Sequence, residues 1–251
     1  AFFTDEAALG RTISKVFKRP KPAQDFQMPE TDFSEIRKVI ARAENSYLSP
    51  AEIHVLLDSV GISRAKEETA QSSDEAIHHA KNLGFPLVMK VVGPIHKSDV
   101  GGVVLNINSE EEVKLNYNKI MKIEGAQSVL LQQMLSGTEL FAGVSFEPKF
   151  GHIILCGLGG IFIEVLKDVA SGLAPLTKTE ALEMIASLKG AKLFDGVRGK
   201  KGINKELFAD VIFKLSILLQ IAPEIKELDL NPLLGTAEKV IAVDSRIRIE
   251  K

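Results

Sequence analysis

Tryptophan is missing from this 251-residue chain, and cysteine occurs once. A lone cysteine, Cys156, excludes an internal disulfide framework, which fits a cytoplasmic setting. An excess of one charge is also lacking: 31 Lys and Arg stand against 33 Asp and Glu. That balance gives no basis for bulk attraction to nucleic acid or to a membrane surface. The apolar runs, that within 153–158 among them, fall far short of the roughly 20 residues a membrane-spanning helix needs. No basic start leads into an apolar core, so no secretory signal is visible. Neither a Walker A pattern nor a GxGxxG after a strand occurs, which leaves two common phosphate-binding solutions unsupported.

What is present suffices for a real core, with 45% apolar residues over a length that fits one large domain or two modest lobes. Residues 1–30 stand apart. Residues 1–3 read as a strand end, a short amphipathic helix runs to residue 17, and "KRPKPAQDFQMP" has the three prolines and alternating charge of a linker. One strand end and one helix cannot bury a core alone, and the chain begins at Ala1, so 1–30 is expected to be the tail of an upstream domain plus a linker.

The rest, 31–251, reads as α+β units in series. "LSPAEIHVLLDSVGI" opens with Ser49 as N-cap, Pro50 at the first helical position and Glu52 completing a capping box, and Gly61 ends it. Ser72 with Glu75 and Ser109 with Glu112 repeat that grammar. "PLVMKVV" (86–92) is a covered strand, "GVVLNIN" (102–108) its hairpin partner, and "SVLLQQM" (128–134) a further strand. These make a smaller lobe at about 65–136. In "ELFAGVSFEPKFGHIILCGLGGIFIEVL" three strands are expected between Pro-Lys-Phe-Gly and Gly-Leu-Gly-Gly turns. Thr177 and Asn204 cap two helices, and "KELDLNPLL" with "KVIAVDSRIRI" closes as a hairpin around Gly235. The larger lobe is then about 137–251, joined by 31–64.

Several residues are out of place unless they do chemistry. Lys90 interrupts an apolar strand, and a buried unpaired ammonium is costly, so it either meets a carboxylate or faces a cleft and a phosphate. Downstream lies "PIHKSDVGGVVLNIN". Gly101 and Gly102 let backbone N–H groups approach an anion, Lys97 adds charge, and His96 is either a solvated loop histidine or a phosphoryl acceptor. In "ELDLNPLL" the alternation sends Glu227, Asp229 and Asn231 to one face. Asp244 ends the run "VIAVD", where antiparallel pairing would set it beside Asn231. The plain alternative is a solvated strand face; the other is an oxygen-ligand site for Mg²⁺. A strand lysine, a glycine lid and a carboxylate–Asn pair between two lobes together point to nucleotide phosphoryl transfer.

"GFPLVMKVVGPIHKSDVGGVVLNI", "GTELFAGVSFEPKFGHIILCGLGGIFIEVLKDVA", "LFDGVRGKKG" and "ELDLNPLL…VIAVDSRI", in that order, resemble the ATP-grasp portion of NDP-forming acyl-CoA synthetases over roughly 35–250. The resemblance implies an ATP-grasp fold, two lobes clasping a nucleotide. The implied activity is that of an acid–thiol ligase working through a phosphohistidine. ATP or ADP would be substrate and Mg²⁺ cofactor. A CoA-ligase domain or α subunit, carrying the CoA and acyl sites, would be the partner. By the same resemblance His96 is a phosphoryl acceptor or relay. Lys90 and Lys97 hold phosphates, and Gly101 and Gly102 form the lid. Gln132, Gln133 and Met134 fall at the adenine hinge, and Glu139 falls near the ribose. Asn231 and Asp244 match a Mg²⁺ pair, with Glu227 beside them. One departure stands out: where many members read "DVAFRLAPL", this chain reads "DVASGLAPL", with Ser171 and Gly172 in place of an aromatic and an arginine. Loss of an arginine near phosphates would remove a permanent bidentate donor, and would fit the alternative of a regulatory ATP-grasp module like that fused to some protein lysine acetyltransferases.

Overall fold

The computed structural model describes residues 5–17, 31–93, 101–160, 163, 167–196 and 202–251. Helix α1 (Glu6–Phe17) leaves Leu9 and Ile13 exposed. Helices α2 (Phe33–Arg42) and α3 (Pro50–Ser59) follow. The α3 start carries the full capping box, Ser49 and Glu52 each accepting from the other's backbone N–H.

The smaller sheet is built from β1 (Glu67–Ala70), β2 (Leu87–Val92), β3 (Val103–Ile107) and β4 (Ser128–Gln133), in the order β1-β4-β2-β3, antiparallel throughout. Its alternation separates two faces. Leu87, Met89, Val91, Val129 and Leu131 form a core with Ala76 and Ala80 of α4 (Ser73–Leu83) and with Val113, Tyr117 and Ile120 of α5 (Glu110–Ile120). The intervening Val88, Lys90, Leu130 and Gln132 turn the other way. The capping boxes expected at α4 and α5 are half-formed. Ser72 and Ser109 accept from the N–H groups of Glu75 and Glu112, but those glutamates accept from Gln71 and Asn108, one residue before the cap.

The larger sheet comprises β5 (Thr138–Glu147), β6 (Gly151–Leu158), β7 (Val169–Leu173), β8 (Ile225–Gly235), β9 (Val240–Ala242) and β10 (Ser245–Ile249). Its order is β10-β8-β5-β6-β7, with β9 pairing β8. One face packs on α6 (Lys178–Ser187) and α7 (Lys205–Ile221), and the same core takes Ile36 and Ile40 of α2 and Ile53, Leu56 and Leu57 of α3. The third strand expected at 161–166 falls mostly outside the described residues, and the strand that pairs with β6 is β7. A 3₁₀ turn (Ala191–Asp195) leads towards Asn204, which caps α7.

Candidate active site

Two local features aim the candidate residues. On β2, Lys90 lies on the face away from the small-lobe core, only 6% exposed, and its Nζ donates to the Val243 carbonyl of the larger lobe at 3.0 Å. The strand lysine therefore faces the junction between lobes. On β8, Leu230 is opposite Ala142 and Leu233 opposite Leu140, so Asn231 and Pro232 together face the single Phe141. This is a β-bulge, the device that re-aims a side chain within a ladder, and the proline donor missing from the ladder sits where a bulge tolerates it. Leu228, Leu230 and Leu233 remain in the core, while Glu227, Asp229 and Asn231 lie on the opposite face.

Across β8, Ser245 pairs with Leu230 and Ala242 with Leu233, which brings the Val243–Asp244 link opposite the bulge. The Asn231 N–H donates to the Asp244 carbonyl at 3.2 Å, and Val243 N–H to the Pro232 carbonyl at 3.0 Å. Asp244 Oδ1 accepts from the Ser245 N–H at 3.0 Å.

These elements enclose a cleft of about 420 Å³ between the sheets, within the usual range for a small-ligand pocket. Apolar Val88, Val103 and Leu105 face Pro232 and Val243, and the polar lining is Lys90, Gln132, Asp229, Asn231, Asp244, Ser245 and Arg246. Leu105 is 56% exposed, a large apolar side chain open to the cleft. A second hollow of about 410 Å³ shares Asp229, Asn231 and Arg246 and spreads over Phe141, Gly143 and Leu155. The Asp229 carboxyl is held above the usual carboxylate range, first by desolvation; facing Arg246 opposes this and nearby Asp244 adds to it.

The structure thus gathers Lys90, Gln132, Asn231 and Asp244 around one cleft. Sequence reasoning passed over Asp229 and Arg246 as site residues, although the alternation of "ELDLNPLL" already put Asp229 on the Asn231 face. Glu227 is not brought to the Asn231–Asp244 pair. It lies four residues back along β8, ion-paired with Arg248 at 2.8 Å, and lines the second hollow instead. Gln133, Met134 and Glu139 do not line the 420 Å³ cleft; Glu139 is the second residue of β5, its carbonyl accepting from Gly159 N–H at 2.7 Å. Gly101 has φ +67°, a conformation that favours glycine, and the Gly102 carbonyl accepts from Val91 N–H at 2.7 Å. His96 and Lys97 lie outside the described residues.

The departure at β7 divides between the two faces of the sheet. Ser171 is next to Leu155 on the open face, whereas Gly172 is next to core residue Ile154. A Cβ on Gly172 would stand 2.9 Å from Leu176 Cδ2 and from Met184 Sδ. Position 172 therefore points into the α6 side of the sheet, and neither residue lines the cleft.

The ATP-grasp domain family profile matches residues 39–249. This chain belongs to the ATP-grasp family. It is 40% identical over 219 residues to the acetate–CoA ligase [ADP-forming] I subunit beta of Pyrococcus furiosus, covering 82% of this chain and 94% of that subunit. It is 41% identical over 199 residues to the acetate–CoA ligase [ADP-forming] II of Archaeoglobus fulgidus, where the match covers 78% of this chain and 29% of that longer protein. Among solved structures it superposes with TM-score 0.74 and 33% identity on acetyl-coenzyme A synthetase 1 of Ca. Korarchaeum cryptofilum, covering 86% of this chain and 98% of that one. That complex holds coenzyme A and Mg-AMPPCP, with a phosphohistidine segment pointing towards the nucleotide-binding site. Among the described residues of this ATP-grasp chain, no helix is long and apolar enough to cross a membrane.

Proposed function

We propose that this chain is the nucleotide-binding, phosphoryl-transferring part of an ADP-forming acyl-CoA synthetase. The overall reaction takes acyl-CoA, ADP and phosphate to acid, CoA and ATP. Phosphate displaces CoA to form an acyl phosphate, a histidine takes up the phosphoryl group, and ADP accepts it between the ATP-grasp lobes. The CoA and acyl sites belong to a partner domain or subunit. His96 is the candidate phosphoryl acceptor or relay on this chain.

The observation that carries this reading is the convergence of Lys90 from one lobe with Asn231, Asp244 and Asp229 from the other on a single cleft. The Lys90 ammonium is the group to bind a transferring phosphate, and Arg246 adds a permanently charged donor. Val88, Leu105 and Pro232 supply apolar surface for a base. The Asn231 amide oxygen and the Asp244 and Asp229 carboxylates are hard oxygen donors that suit Mg²⁺. Magnesium commonly keeps several waters and shares phosphate oxygens, so two or three protein oxygens suffice to hold it. Such an ion, when bound, neutralises charge on the transferring phosphate.

The test is isothermal titration with ADP and ATP, with and without Mg²⁺, on the parent chain and on Lys90→Ala and Asp244→Ala. Mg²⁺-dependent binding weakened in both variants is the expected result. Absence of binding at millimolar nucleotide, both alone and with the CoA-binding partner added, would overturn the reading.

A further inference from the structure

A chain of hydrogen bonds crosses between the lobes behind the cleft. His54 on α3 donates from Nε2 to Glu67 Oε1 on β1 at 2.5 Å. The other Glu67 oxygen accepts from Gln132 Nε2 on β4. The same Gln132 nitrogen donates to the Val243 carbonyl at 2.9 Å, the carbonyl that also accepts from Lys90. Helix α3 belongs to the larger lobe by its core packing, and β1 and β4 to the smaller. The strap therefore leaves the larger lobe at His54, passes through two small-lobe side chains and returns at Val243.

Each link is chemically constrained. A carboxylate accepts only, so the Gln132 end that meets Glu67 must be its NH₂. Both hydrogens of that NH₂ are then used, one on Glu67 and one on Val243. Gln132 is 1% exposed and its Oε1 is buried with no protein partner, so the nitrogen is the working end of this amide. The Val243 carbonyl belongs to the peptide that leads into Asp244. Were Lys90 to turn towards a phosphate, one of the two bonds to this carbonyl would weaken. Gln132 keeps the carbonyl satisfied, which spares the cost of a buried unpaired acceptor.

We propose that Glu67 and Gln132 are positioning residues: Glu67 fixes the Gln132 amide, and Gln132 holds the peptide that presents Asp244 beside Asn231. Glu67 does not line the cleft, and Gln132, which does, acts here through the Val243 carbonyl. The proposal rests on the reading of the cleft as a Mg²⁺–nucleotide site, because its purpose is to keep Asp244 in place while Lys90 moves. Partners of this kind, one step removed from a ligand, typically influence metal affinity about 10- to 100-fold.

The experiment uses Glu67→Leu, which removes the acceptors for both His54 and Gln132, and Gln132→Met, which keeps volume and loses the donor. The Mg²⁺ concentration giving half-maximal enhancement of ADP binding is measured together with ADP affinity without Mg²⁺. The expected result is a rise of about tenfold in the Mg²⁺ requirement in both variants, with Mg²⁺-free affinity unchanged in the Glu67 variant, whose side chain does not line the cleft. A uniform loss of both in the Glu67 variant would mean a merely structural role and overturn the proposal. Amide exchange without nucleotide gives an independent readout. Exchange at 242–245 should quicken in both variants while β2 and the β4 core amides stay protected, and unchanged exchange at 242–245 overturns the proposal. If the parent chain binds no ADP, alone or with the CoA-binding partner added, the functional reading fails, and the exchange measurement still decides whether the strap holds the peptide.

Discussion

Asn231 and Asp244 stand thirteen residues apart in the chain, yet the backbone N–H of one donates to the carbonyl of the other at 3.2 Å. The contact follows from one register, carried by β9 on one side of it and β10 on the other. A one-residue slip of β9 and β10 along β8 would turn Asp244 towards the core face while Asn231 stayed where the pairing with β5 sets it. Asp244→Asn keeps the shape and removes one charge. The expected outcome is a roughly tenfold weaker Mg²⁺-dependent increment in ADP affinity with an unchanged urea midpoint. Titration calorimetry and denaturation on the same variant check both halves.

Lys90 bears on stability and binding in opposite directions. Its ammonium is nearly buried, which carries a desolvation cost that an apolar side chain of similar length does not. Lys90→Met should bind ADP at least tenfold more weakly while remaining within about 1 kcal/mol of the parent in stability, or exceeding it. A large loss of stability would show that the Val243 contact serves the fold first.

The position of Gly172 predicts that restoring the family's arginine there does not strengthen the site. Gly172→Arg drives a side chain towards Leu176 and Met184. Overpacking of this kind costs about 1–3 kcal/mol, and ADP affinity should not rise. A gain in affinity would mean that the arginine reaches the cleft by a route this backbone does not offer.

A pH effect is expected at the edge of the larger lobe. Arg37 grips Glu224 through both oxygens at 2.8 Å, and this holds the Glu224 carboxyl below its usual range. A depressed carboxyl stabilises the fold above its unfolded-state value, and that contribution is lost as pH falls through the lower, folded value. The pair is partly exposed, so Glu224→Gln should cost only about 0.5–1 kcal/mol at neutral pH. The difference from the parent should shrink below the ordinary carboxylate range and vanish in stronger acid. Urea titrations at pH 7 and pH 3 measure it.

Cys156 is fully buried in β6, and burial pushes its thiol up to about 12. The thiolate is the reactive form, so a thiol reagent at pH 8 should leave the native chain unmodified. Labelling should appear only as urea unfolds the larger lobe, with the same midpoint as the loss of far-ultraviolet signal. Rapid labelling of native protein would contradict the burial.

Local chemistry in the sequence determines the helices that begin at Ser49, Thr177 and Asn204, because a cap and its following apolar spacing act within one turn. It determines the alternation in "ELDLNPLL", since period two needs no partner to be read. Strand β1 carries little such signal: "EETA" is three polar residues and an alanine, and pairing with β4 makes it a strand. The tertiary structure alone decided that Glu227 spends its charge on Arg248, that Asp229 and Arg246 join the cleft, and that Gly172 faces the core. It alone joined His54, Glu67 and Gln132 to Val243 across 189 residues of chain. Caps and periodicity are properties of neighbours in sequence, whereas a cleft depends on register and on the packing of two sheets, set by contacts among residues far apart in the chain.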